Sequence, residues 1–591
     1  MTPAGDIASR MKKLRRQMAL MKLDALLMPS ADAFQSEYVP ASDRRLAWIS
    51  GFTGSMGQAV ILKNKAFLFV DGRYTLQAAK EGDPTLYEIV PASTQSLNDW
   101  LASRLKPGQS LGADPWLVSA DGALGLEKSC AKANALLRWL EANPIDGLWV
   151  DRPAPPASAV EAQPLAHAGE SSKDKRARVA ALLAREQSDR LLICAPDTLC
   201  WLLNIRGRDI PYAPLLRAFA ILDRLGGVDL FLDHRRLDFF LDRDVRLHPP
   251  NSLLAHLKEL GQACKCVRLD PKQTPLLLYD ALKFSGARIT EGADPCLRLK
   301  ACKNKTEIEG AWSAHWRDGR ALIRTLHGLK AGMRESAAAD LADTWRAQEE
   351  LAQGPSFATI AAAGANGAIV HYRARKGRDA LLKAGQPFLL DSGGQYLDGT
   401  TDVTRTVFIG PGSPSPDMKR MFTLVLKGHI ALASAVFPRG TTGLQLDALA
   451  RQFLWQEGLD YDHGTGHGVG SYLSVHEGPG RIAKSGPGAA LEEGMILSIE
   501  PGYYRPGAFG IRIESLGLIV PAAKAKGGER EMLRFEILTK APIDLRLIAP
   551  RLLAKPERDW LNAYHLGIRK AFSGRLERKT QAWLERQTRP L

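Results

Sequence analysis

Two aspartates, Asp391 and Asp402, stand eleven residues apart in the stretch FLLDSGGQYLDGTTDVTRT, with Gly393-Gly394 between two strand-like segments. The segment before the glycines is apolar enough for a buried strand. The segment after them alternates with a period of two, which puts Thr404 and Thr406 on the face of Asp402. A hairpin would bring both carboxylates to one cavity, where their repulsion requires a proton, a cation or a metal. Asp beside Gly is also common in turns, and the hairpin alone favours that interpretation.

Three later segments add side chains of the same chemistry. HGTGHGVG begins at His463 and is too rich in glycine to be helical, a predicted strand ends on Glu500, and another carries Arg512 and Glu514 on its polar face. Buried carboxylates without cations would each cost several kcal/mol. Two divalent ions with a hydroxide between them would nearly neutralise the set of five donors, which are Asp391, Asp402, His467, Glu500 and Glu514.

The ordered pattern D-x10-D, HGTGHG, EPG and RIE resembles the pita-bread metallopeptidases (M24B), which include methionine aminopeptidase, prolidase, creatinase and aminopeptidase P. Each motif alone is a weak signal, but the ordered set is specific. SFATIAAAGANGAIVHYR, HGTGHGVGSYLSVHEGP and EPGYY, with WISGFTGS and VDGRY near the N-terminus, are similar to the long, three-domain cytosolic aminopeptidase P type of this family. The resemblance implies two creatinase-N-terminal-like α/β domains followed by an α+β pita-bread catalytic domain.

The resemblance also implies a role for each metal donor. Asp391 would chelate one metal ion, and Asp402 and Glu514 would bridge both ions. His467 and Glu500 would bind the second ion. An oxygen-rich set with one imidazole suits harder ions, and the family implies Mn(II), with Zn(II) or Co(II) as alternatives. Glu500 is also the candidate that moves a proton from the attacking water to the departing proline nitrogen.

Other candidate site residues lie outside the metal donors. A single histidine is more often structural than catalytic, but His371, His463 and His476 fall within the family motifs VHYR, HGTGH and VHEGP. The resemblance implies catalytic and substrate-binding roles for all three, through the substrate carbonyl, the tetrahedral intermediate or the proline ring. Arg512, a further catalytic candidate, shares a predicted strand face with Glu514, and we expect it to orient the bridging carboxylates. Tyr504 maps onto a substrate-binding tyrosine near the proline.

The implied activity is removal of the first residue from peptides with proline in the second position. An Xaa-Pro bond is a tertiary amide with a fixed ring, and proline preference follows from the resemblance alone. Prolidase, which hydrolyses Xaa-Pro dipeptides, is the alternative within the fold, although the two N-terminal domains favour aminopeptidase P. A catalytically inactive pita-bread module that binds partners is a third possibility, but such relatives lack metal ligands that this chain has.

The composition and charge of the chain argue against several other classes of protein. At 591 residues, with 45% hydrophobic and 24% charged residues, the chain predicts about three ordered domains. The formal charge of +15 is scattered, so we expect a solvated basic surface and no nucleic-acid partner. Seven cysteines without a secretory signal indicate reduced thiols in a cytoplasmic protein. No apolar segment is long enough to cross a membrane.

We expect four regions. Residues 1–152 and 153–302 are the two α/β domains, 303–540 the catalytic domain and 541–591 a C-terminal extension. The first domain should begin with a helix over Ile7–Met21, and a Pro- and Ala-rich linker should span residues 151–170. Asn304 and Glu307 predict a capping box at the start of a long helix. The extension is the predicted homodimer interface, with apolar residues Leu547, Ile548, Leu552, Leu553 and Trp560.

Overall fold

A computed structural model describes residues 4–591 of the chain. These residues form two compact units. The first comprises the chain up to Ala162 with Glu170–Pro211 and Leu215–Cys296, and the second comprises Gln163–Gly169, Tyr212–Pro214 and Leu297–Leu591. Within residues 4–591, no helix has both the length and the apolar character needed to cross a membrane.

The first unit begins with a six-stranded sheet of order β4-β3-β2-β1-β5-β6. Its strands are β1 (Ala25–Pro29), β2 (Gln58–Leu62), β3 (Ala66–Val70), β4 (Tyr87–Pro91), β5 (Ser110–Ala113) and β6 (Leu136–Trp139). The accompanying helices are α1 (Ala4–Leu20), α2 (Arg45–Ser50), α3 (Thr75–Glu81), α4 (Leu97–Arg104) and α5 (Ala120–Lys132). Apolar side chains pack on both sheet faces, Leu26 on one and Leu27 on the other, because helices cover both faces of such a sheet.

A second six-stranded sheet, of order β12-β11-β10-β8-β13-β14, has the same topology as the first. In both sheets the successive pairings are parallel, antiparallel, antiparallel, parallel and parallel. The strands of this region are β7 (Glu161–Ala162), β8 (Arg190–Ile193), β9 (Ile205–Arg206), β10 (Phe219–Asp223), β11 (Val228–Phe231), β12 (Val245–His248), β13 (Cys266–Leu269) and β14 (Arg288–Glu291). Its helices are α7 (Ser172–Arg185), α8 (Pro196–Leu203), α9 (Leu253–Gln262) and α10 (Leu276–Ser285). Helix α6 (Leu165–Ala168), and α11 (Cys296–Ala301) after its first residue, belong to the second unit. The predicted linker therefore contains β7 and α6.

The second unit contains sheets β16-β17-β20 and β21-β28-β27-β24-β22-β23, with smaller sheets β15-β18-β19 and β25-β26. Its strands are β15 (Ala352–Pro355), β16 (Ile360–Ala363), β17 (Pro387–Ser392), β18 (Gly394–Tyr396), β19 (Gly399–Thr400), β20 (Val403–Phe408), β21 (Val436–Pro438), β22 (Gly466–Gly468), β23 (Glu477–Ile482), β24 (Ile496–Ile499), β25 (Gly502–Arg505), β26 (Phe509–Arg512), β27 (Ser515–Pro521) and β28 (Met532–Ile537). Its helices are α12 (Lys305–Gly328), α13 (Glu335–Ala347), α14 (Pro416–Ala433), α15 (Gly443–Trp455), α16 (Lys555–Phe572) and α17 (Arg578–Gln587).

The predicted capping box at the start of α12 is confirmed. Asn304 Oδ1 accepts the Glu307 N–H at 3.0 Å, and Glu307 Oε2 accepts the Asn304 N–H at 3.0 Å. The two bonds satisfy backbone donors that a helix start leaves without partners. They fix where the longest helix of the second unit begins.

The C-terminal residues predicted to form a dimer interface lie mostly inside their own chain. Leu547, Ile548 and Leu553 are buried in a cluster with α14, and Trp560 packs against the same cluster. Leu552 alone of the five is well exposed, at 43%. The homodimer stays a prediction, but most of the residues proposed to carry it are occupied within the chain.

Candidate metal centre

The two aspartates come from neighbouring strands, as the hairpin prediction required. β17 and β20 pair antiparallel with Asp391 opposite Thr404, and Asp402 directly precedes β20. The connection is longer than a tight glycine turn, because β18 and β19 form within it. Both side chains are buried.

His467 and Glu500 are brought together by the pairing of β22 with β24. The Glu500 N–H donates to the carbonyl of Thr465 at 2.8 Å, which fixes the carboxylate at the end of β24. His467 Nδ1 donates to the carbonyl of Gly468 at 3.0 Å, because a carbonyl can only accept. The other ring nitrogen, Nε2, lies 3.5 Å from Asp402 Oδ2 and 3.6 Å from Glu500 Oε1.

The sequence predicted that Glu514 and Arg512 lie on one strand, but in the structure they do not. β26 ends at Arg512 and β27 begins at Ser515, so Glu514 lies in the bend between them. Thr404 Oγ1 donates to Glu514 Oε2 at 2.8 Å. The bend thus places the carboxylate beside the strand that follows Asp402.

These side chains fit metal ions. Ligand atoms of Asp402, His467 and Glu514 all lie within 4.8 Å of one another. Burial, followed by the charges of neighbouring carboxylates, raises the pKa of Asp402 and of Glu514 well above the ordinary range. Among residues 4–591, the buried Oδ1 atoms of Asp391 and Asp402 have no hydrogen-bond partner. Cations are what such a group of carboxylates with one imidazole requires.

Arg512 links the carboxylates to the substrate-binding candidates. It is buried and donates to Asp391 Oδ2 at 2.5 Å, Thr404 Oγ1 at 3.1 Å and the Tyr504 hydroxyl at 2.7 Å. The Tyr504 hydroxyl in turn lies 2.8 Å from His463 Nε2. Burial raises the pKa of Tyr504 to about 12, against the opposing charge of Arg512, so its hydroxyl stays protonated and donates to His463.

The other two histidines lie at different points around the centre. The ring of His476 is 4.3 Å from that of His467, at an interplanar angle of 75°. His371 is partly exposed and follows Val370, whose carbonyl accepts a 3.5 Å bond from Arg512. The structure therefore brings His463 and His476 against other candidate residues, and it places His371 one residue from the Arg512 network.

Sequence reasoning missed the buried charges that support the histidine segments. Arg451 on α15 donates to the carbonyls of His463 at 2.8 Å and Tyr461 at 2.6 Å. Glu477, next to His476, is paired with Lys300 at 3.0 Å and Lys303 at 2.6 Å. Only the alternation around Thr404 could have pointed to a supporting residue, because it placed that hydroxyl on the face of Asp402.

Arg405 joins the strand that follows Asp402 to the C-terminal part of the chain. It is buried and donates to the carbonyls of Ala541 at 2.9 Å and Glu514, and to the hydroxyl of Tyr564 on α16 at 2.8 Å. The same hydroxyl donates to the carbonyl of Thr539 at 3.0 Å. Through Arg405, helix α16 is thereby tied to the backbone at Glu514.

Four family models match successive parts of the chain. Residues 10–138 and 151–307 match models of the creatinase/prolidase N-terminal domain, 311–521 the metallopeptidase family M24, and 531–591 the C-terminal region of that peptidase. The probable Xaa-Pro aminopeptidase P of Aspergillus niger is 39% identical over 612 residues, which cover 99% of each chain. The chain belongs to the Xaa-Pro aminopeptidase P family.

Solved structures agree with this membership of the aminopeptidase P family. The X-prolyl aminopeptidase of Caenorhabditis elegans, described as a cytosolic enzyme with a di-nuclear active site, is 32% identical. It covers 99% of this chain and 100% of its own, with a TM-score of 0.93. The prolidase of Thermococcus sibiricus shares the fold at 24% identity and a TM-score of 0.52, over 64% of this chain. The predicted architecture of two creatinase-like domains and a pita-bread domain is confirmed.

Proposed function

We propose that this protein is a metal-dependent aminopeptidase that removes the first residue from peptides with proline in the second position. The observation that carries the proposal is the convergence of Asp402, His467 and Glu514 within 4.8 Å, beside Asp391 and Glu500. This convergence stands in a chain that is 38–39% identical over nearly its whole length to probable Xaa-Pro aminopeptidases P of Aspergillus niger and Paracoccidioides brasiliensis.

The proposed ligands of two divalent ions are Asp391, Asp402, His467, Glu500 and Glu514. When bound, the ions would supply Lewis acidity, which lowers the pKa of water and polarises the scissile carbonyl. Among these carboxylates, Asp402 and Glu514 are the most deeply buried and would help to hold the ions. Mn(II) is the proposed metal, because oxygen donors outnumber the single imidazole, with Zn(II) or Co(II) as alternatives.

Glu500 is the proposed proton carrier. Its side chain is 18% exposed, more than those of Asp391 and Asp402, so solvent reaches it. Ser498 Oγ donates to Oε1 at 3.2 Å, which leaves acceptor capacity on the carboxylate. Glu500 would accept a proton from the attacking water and pass it to the proline nitrogen, which has no N–H of its own.

The hydrogen-bonded series Arg512, Tyr504 and His463 is the proposed substrate-positioning group. Arg512 holds Asp391 in place and keeps the Tyr504 hydroxyl directed toward His463. The ring of Tyr504 meets that of His463 at 70°, with centroids 5.3 Å apart. We propose that these two rings contact the substrate proline, and that His371 and His476 contact the reacting carbonyl.

Incubation of the metal-reconstituted protein with an Arg-Pro-Pro peptide and, separately, an Xaa-Pro dipeptide tests the proposal by mass spectrometry. We expect release of free arginine from the tripeptide. Cleavage of the dipeptide alone would assign the prolidase activity instead. No cleavage by protein with a full complement of metal would support a binding module and contradict the proposal.

A matched pair of variants shows that the cleavage belongs to this centre. Glu514→Gln should abolish arginine release, because it removes one charge of the buried donor set. Glu536→Gln changes a 44% exposed side chain on β28 and should leave the release unchanged. Equal activity in the two variants would place the chemistry elsewhere in the protein.

We also propose a cytoplasmic location and a homodimer. The location rests on the Caenorhabditis elegans relative, which is described as cytosolic. For the dimer, the second unit exposes Leu552 and Leu566 at 43% and 42%, and Leu566 lies on α16. Exposed apolar side chains on one helix and the segment before it are candidate interface residues.

A further inference from the structure

A second group of metal-ligating side chains lies in the sheet formed by β8 and β10–β14, far along the chain from the candidate metal centre. Asp229 on β11, His248 on β12 and His256 on α9 have ligand atoms within 4.8 Å of one another. His248 Nε2 lies 2.8 Å from Asp229 Oδ1, and the two imidazole centroids are 4.6 Å apart. We call these three residues the Asp229 cluster.

The first six-stranded sheet has the same topology, and it shows which residues occupy the positions equivalent to the Asp229 cluster. Its strands β3 and β4 pair with Phe69 opposite Val90, as β11 and β12 pair with Phe231 opposite His248. In the same register Phe67 corresponds to Asp229, and Val90 to His248. The corresponding helices α4 and α9 follow Ser96 and Ser252, and their fourth residues are Trp100 and His256.

In the first sheet these positions form ordinary apolar packing. Phe67, Val90 and Trp100 are buried in one hydrophobic cluster, and the rings of Phe67 and Trp100 are 4.6 Å apart. An aromatic residue below the helix is common to both sheets. Phe69 meets Trp100 edge-on at 5.6 Å, and Phe231 meets His256 edge-on at 5.4 Å. The backbone arrangement is shared, so the fold does not require a carboxylate and two imidazoles here.

We propose that the Asp229 cluster binds a divalent transition-metal ion of the zinc class, at a site separate from the candidate metal centre. Two imidazoles and one carboxylate are a donor set that zinc accepts, with water in the fourth position. A tetrahedral ion with bonds of about 2.0–2.1 Å holds its donors roughly 3.3 Å apart. The 2.8 Å separation of His248 Nε2 and Asp229 Oδ1 would have to widen slightly to reach that value.

Arg246 is the neighbour that orients the carboxylate. It donates to Asp229 Oδ1 at 2.8 Å and Oδ2 at 3.0 Å, and its side chain is half exposed. Burial opposes ionisation of Asp229, but hydrogen bonds from Arg246 and His248 outweigh it and hold its pKa below the ordinary value. Asp229 Oδ1 and His248 Nε2 would bind the ion after the proton between them moves to Nδ1 or to solvent, and Oδ2 would keep its bond to Arg246.

The competing explanation is a surface network of hydrogen-bonded charges without metal. Zinc binding by a full-length chain carrying Asp402→Asn and Glu514→Gln separates the two, because these changes remove the main donors of the candidate metal centre. Equilibrium dialysis at low-micromolar free zinc, followed by elemental analysis, should show one ion per chain. Adding His248→Ala or His256→Ala should reduce this to none. His234→Ala, a control histidine 82% exposed and 3.9 Å from Asp233, should retain the ion.

A second comparison covers the case in which the double variant fails to fold. The otherwise unchanged protein should bind one more zinc ion per chain than His248→Val, which carries the residue of the first sheet at this position. Both proteins should have the same peptidase activity with Mn(II). The measured quantity is the zinc content per chain, which does not depend on that activity, so failure of the proposed function would leave this test valid. Equal zinc content in the two proteins, or no zinc in the double variant while it is folded, would overturn the site.

Discussion

The Glu500 side chain is more exposed to solvent than those of Asp391 and Asp402, and the Ser498 hydroxyl holds its carboxylate. Its replacement by glutamine keeps the shape but removes both the charge and the proton-accepting oxygen. We expect Glu500→Gln to lose nearly all turnover, since acid–base catalysis contributes about 10²–10⁴-fold and lost metal adds to that. Steady-state kinetics on an Xaa-Pro-Pro peptide, with metal content, measure the effect. Kinetics like those of the unchanged protein would contradict the proposed mechanism.

We expect a smaller effect from replacing His476 than from replacing Glu500. The ring of His476 contacts the ring of His467, but His476 is not among the proposed metal ligands. His476→Ala should lower turnover by roughly 10²–10³-fold, as for loss of one hydrogen bond to the reacting centre. Metal content should be nearly unchanged. If His476 only fills space in its loop, the variant will instead show a lower melting temperature with unchanged kinetics.

Arg512 donates to three side chains, those of Asp391, Thr404 and Tyr504, in an arrangement that no lysine can reproduce, since lysine offers a point charge and arginine a planar fork. Arg512→Lys should therefore weaken metal binding by about 10–100-fold, the usual cost of losing a residue that orients a ligand. Titration with Mn(II) under calorimetry measures this affinity. Arg505→Lys, on the adjacent strand β25 and paired with exposed Asp417, is the control and should bind metal normally. Equal losses in both variants would remove Arg512 from its positioning role.

At the scale of elements, the start of α12 depends on one local signal. Asn304→Ala removes the side chain that accepts the Glu307 N–H and should lower the free energy of unfolding of the second unit by about 1 kcal/mol. Chemical denaturation followed by circular dichroism measures the change. Lys305→Ala, at a 92% exposed side chain on the same turn, should change stability by less than about 0.5 kcal/mol. A result in which the two substitutions cost the same would mean that the cap contributes nothing.

Local sequence patterns predicted the secondary-structure elements well, but they did not predict the distant side chains that hold the site residues in place. The capping box predicted the start of α12, and the helix expected over Ile7–Met21 is found as α1 (Ala4–Leu20). The order of motifs also predicted the five donors as one set, of which Asp402, His467 and Glu514 have ligand atoms within 4.8 Å of one another. By contrast, Arg451 reaches His463 from a helix, and Lys303 reaches Glu477 across 174 residues. Such contacts depend on how distant elements pack, which no local period encodes. The bend at Glu514 was missed because its strand-like residues continue on both sides.

At the scale of the whole molecule, buried histidines make stability depend on pH. His565 is fully buried and Nε2 accepts the Ile543 N–H at 3.1 Å, so the folded state needs neutral imidazole. Burial, then the charges of Arg405 and Arg569, lowers its pKa to about 3. Between about pH 6.5 and 3 the unfolded chain binds the extra proton, so stability falls as pH falls, by about 1.4 kcal/mol per pH unit.

His565→Gln removes this titration. Calorimetric melting at pH 7 and pH 5 should therefore show a smaller loss of stability for the variant than for the unchanged protein, by roughly 2 kcal/mol. The comparison of the two slopes matters, because the variant starts from a lower stability at pH 7. Parallel profiles would show that His565 is not protonated on unfolding in this range.

Association of two chains is the remaining prediction at this scale. Light scattering at micromolar concentration should give twice the mass of one chain. Leu566→Glu, at an exposed position of α16, should shift the protein toward monomers, because a charge in an apolar interface is costly. Leu225→Glu, at a 91% exposed leucine of the other unit, is the control. A monomer mass for the unchanged protein would reject the dimer.

The hydrogen bonds of Arg405 have a consequence for folding during synthesis of the chain. A ribosome releases the chain from its N-terminus, so Asp402 and its strand emerge long before Tyr564, which lies 159 residues beyond Arg405. Until α16 emerges, Arg405 lacks the Tyr564 hydroxyl to which it donates in the folded chain, and the backbone at Glu514 is not tied to this helix. The arrangement that ties β20 to the bend at Glu514 and to α16 is therefore complete only after α16 has been synthesised, late in translation.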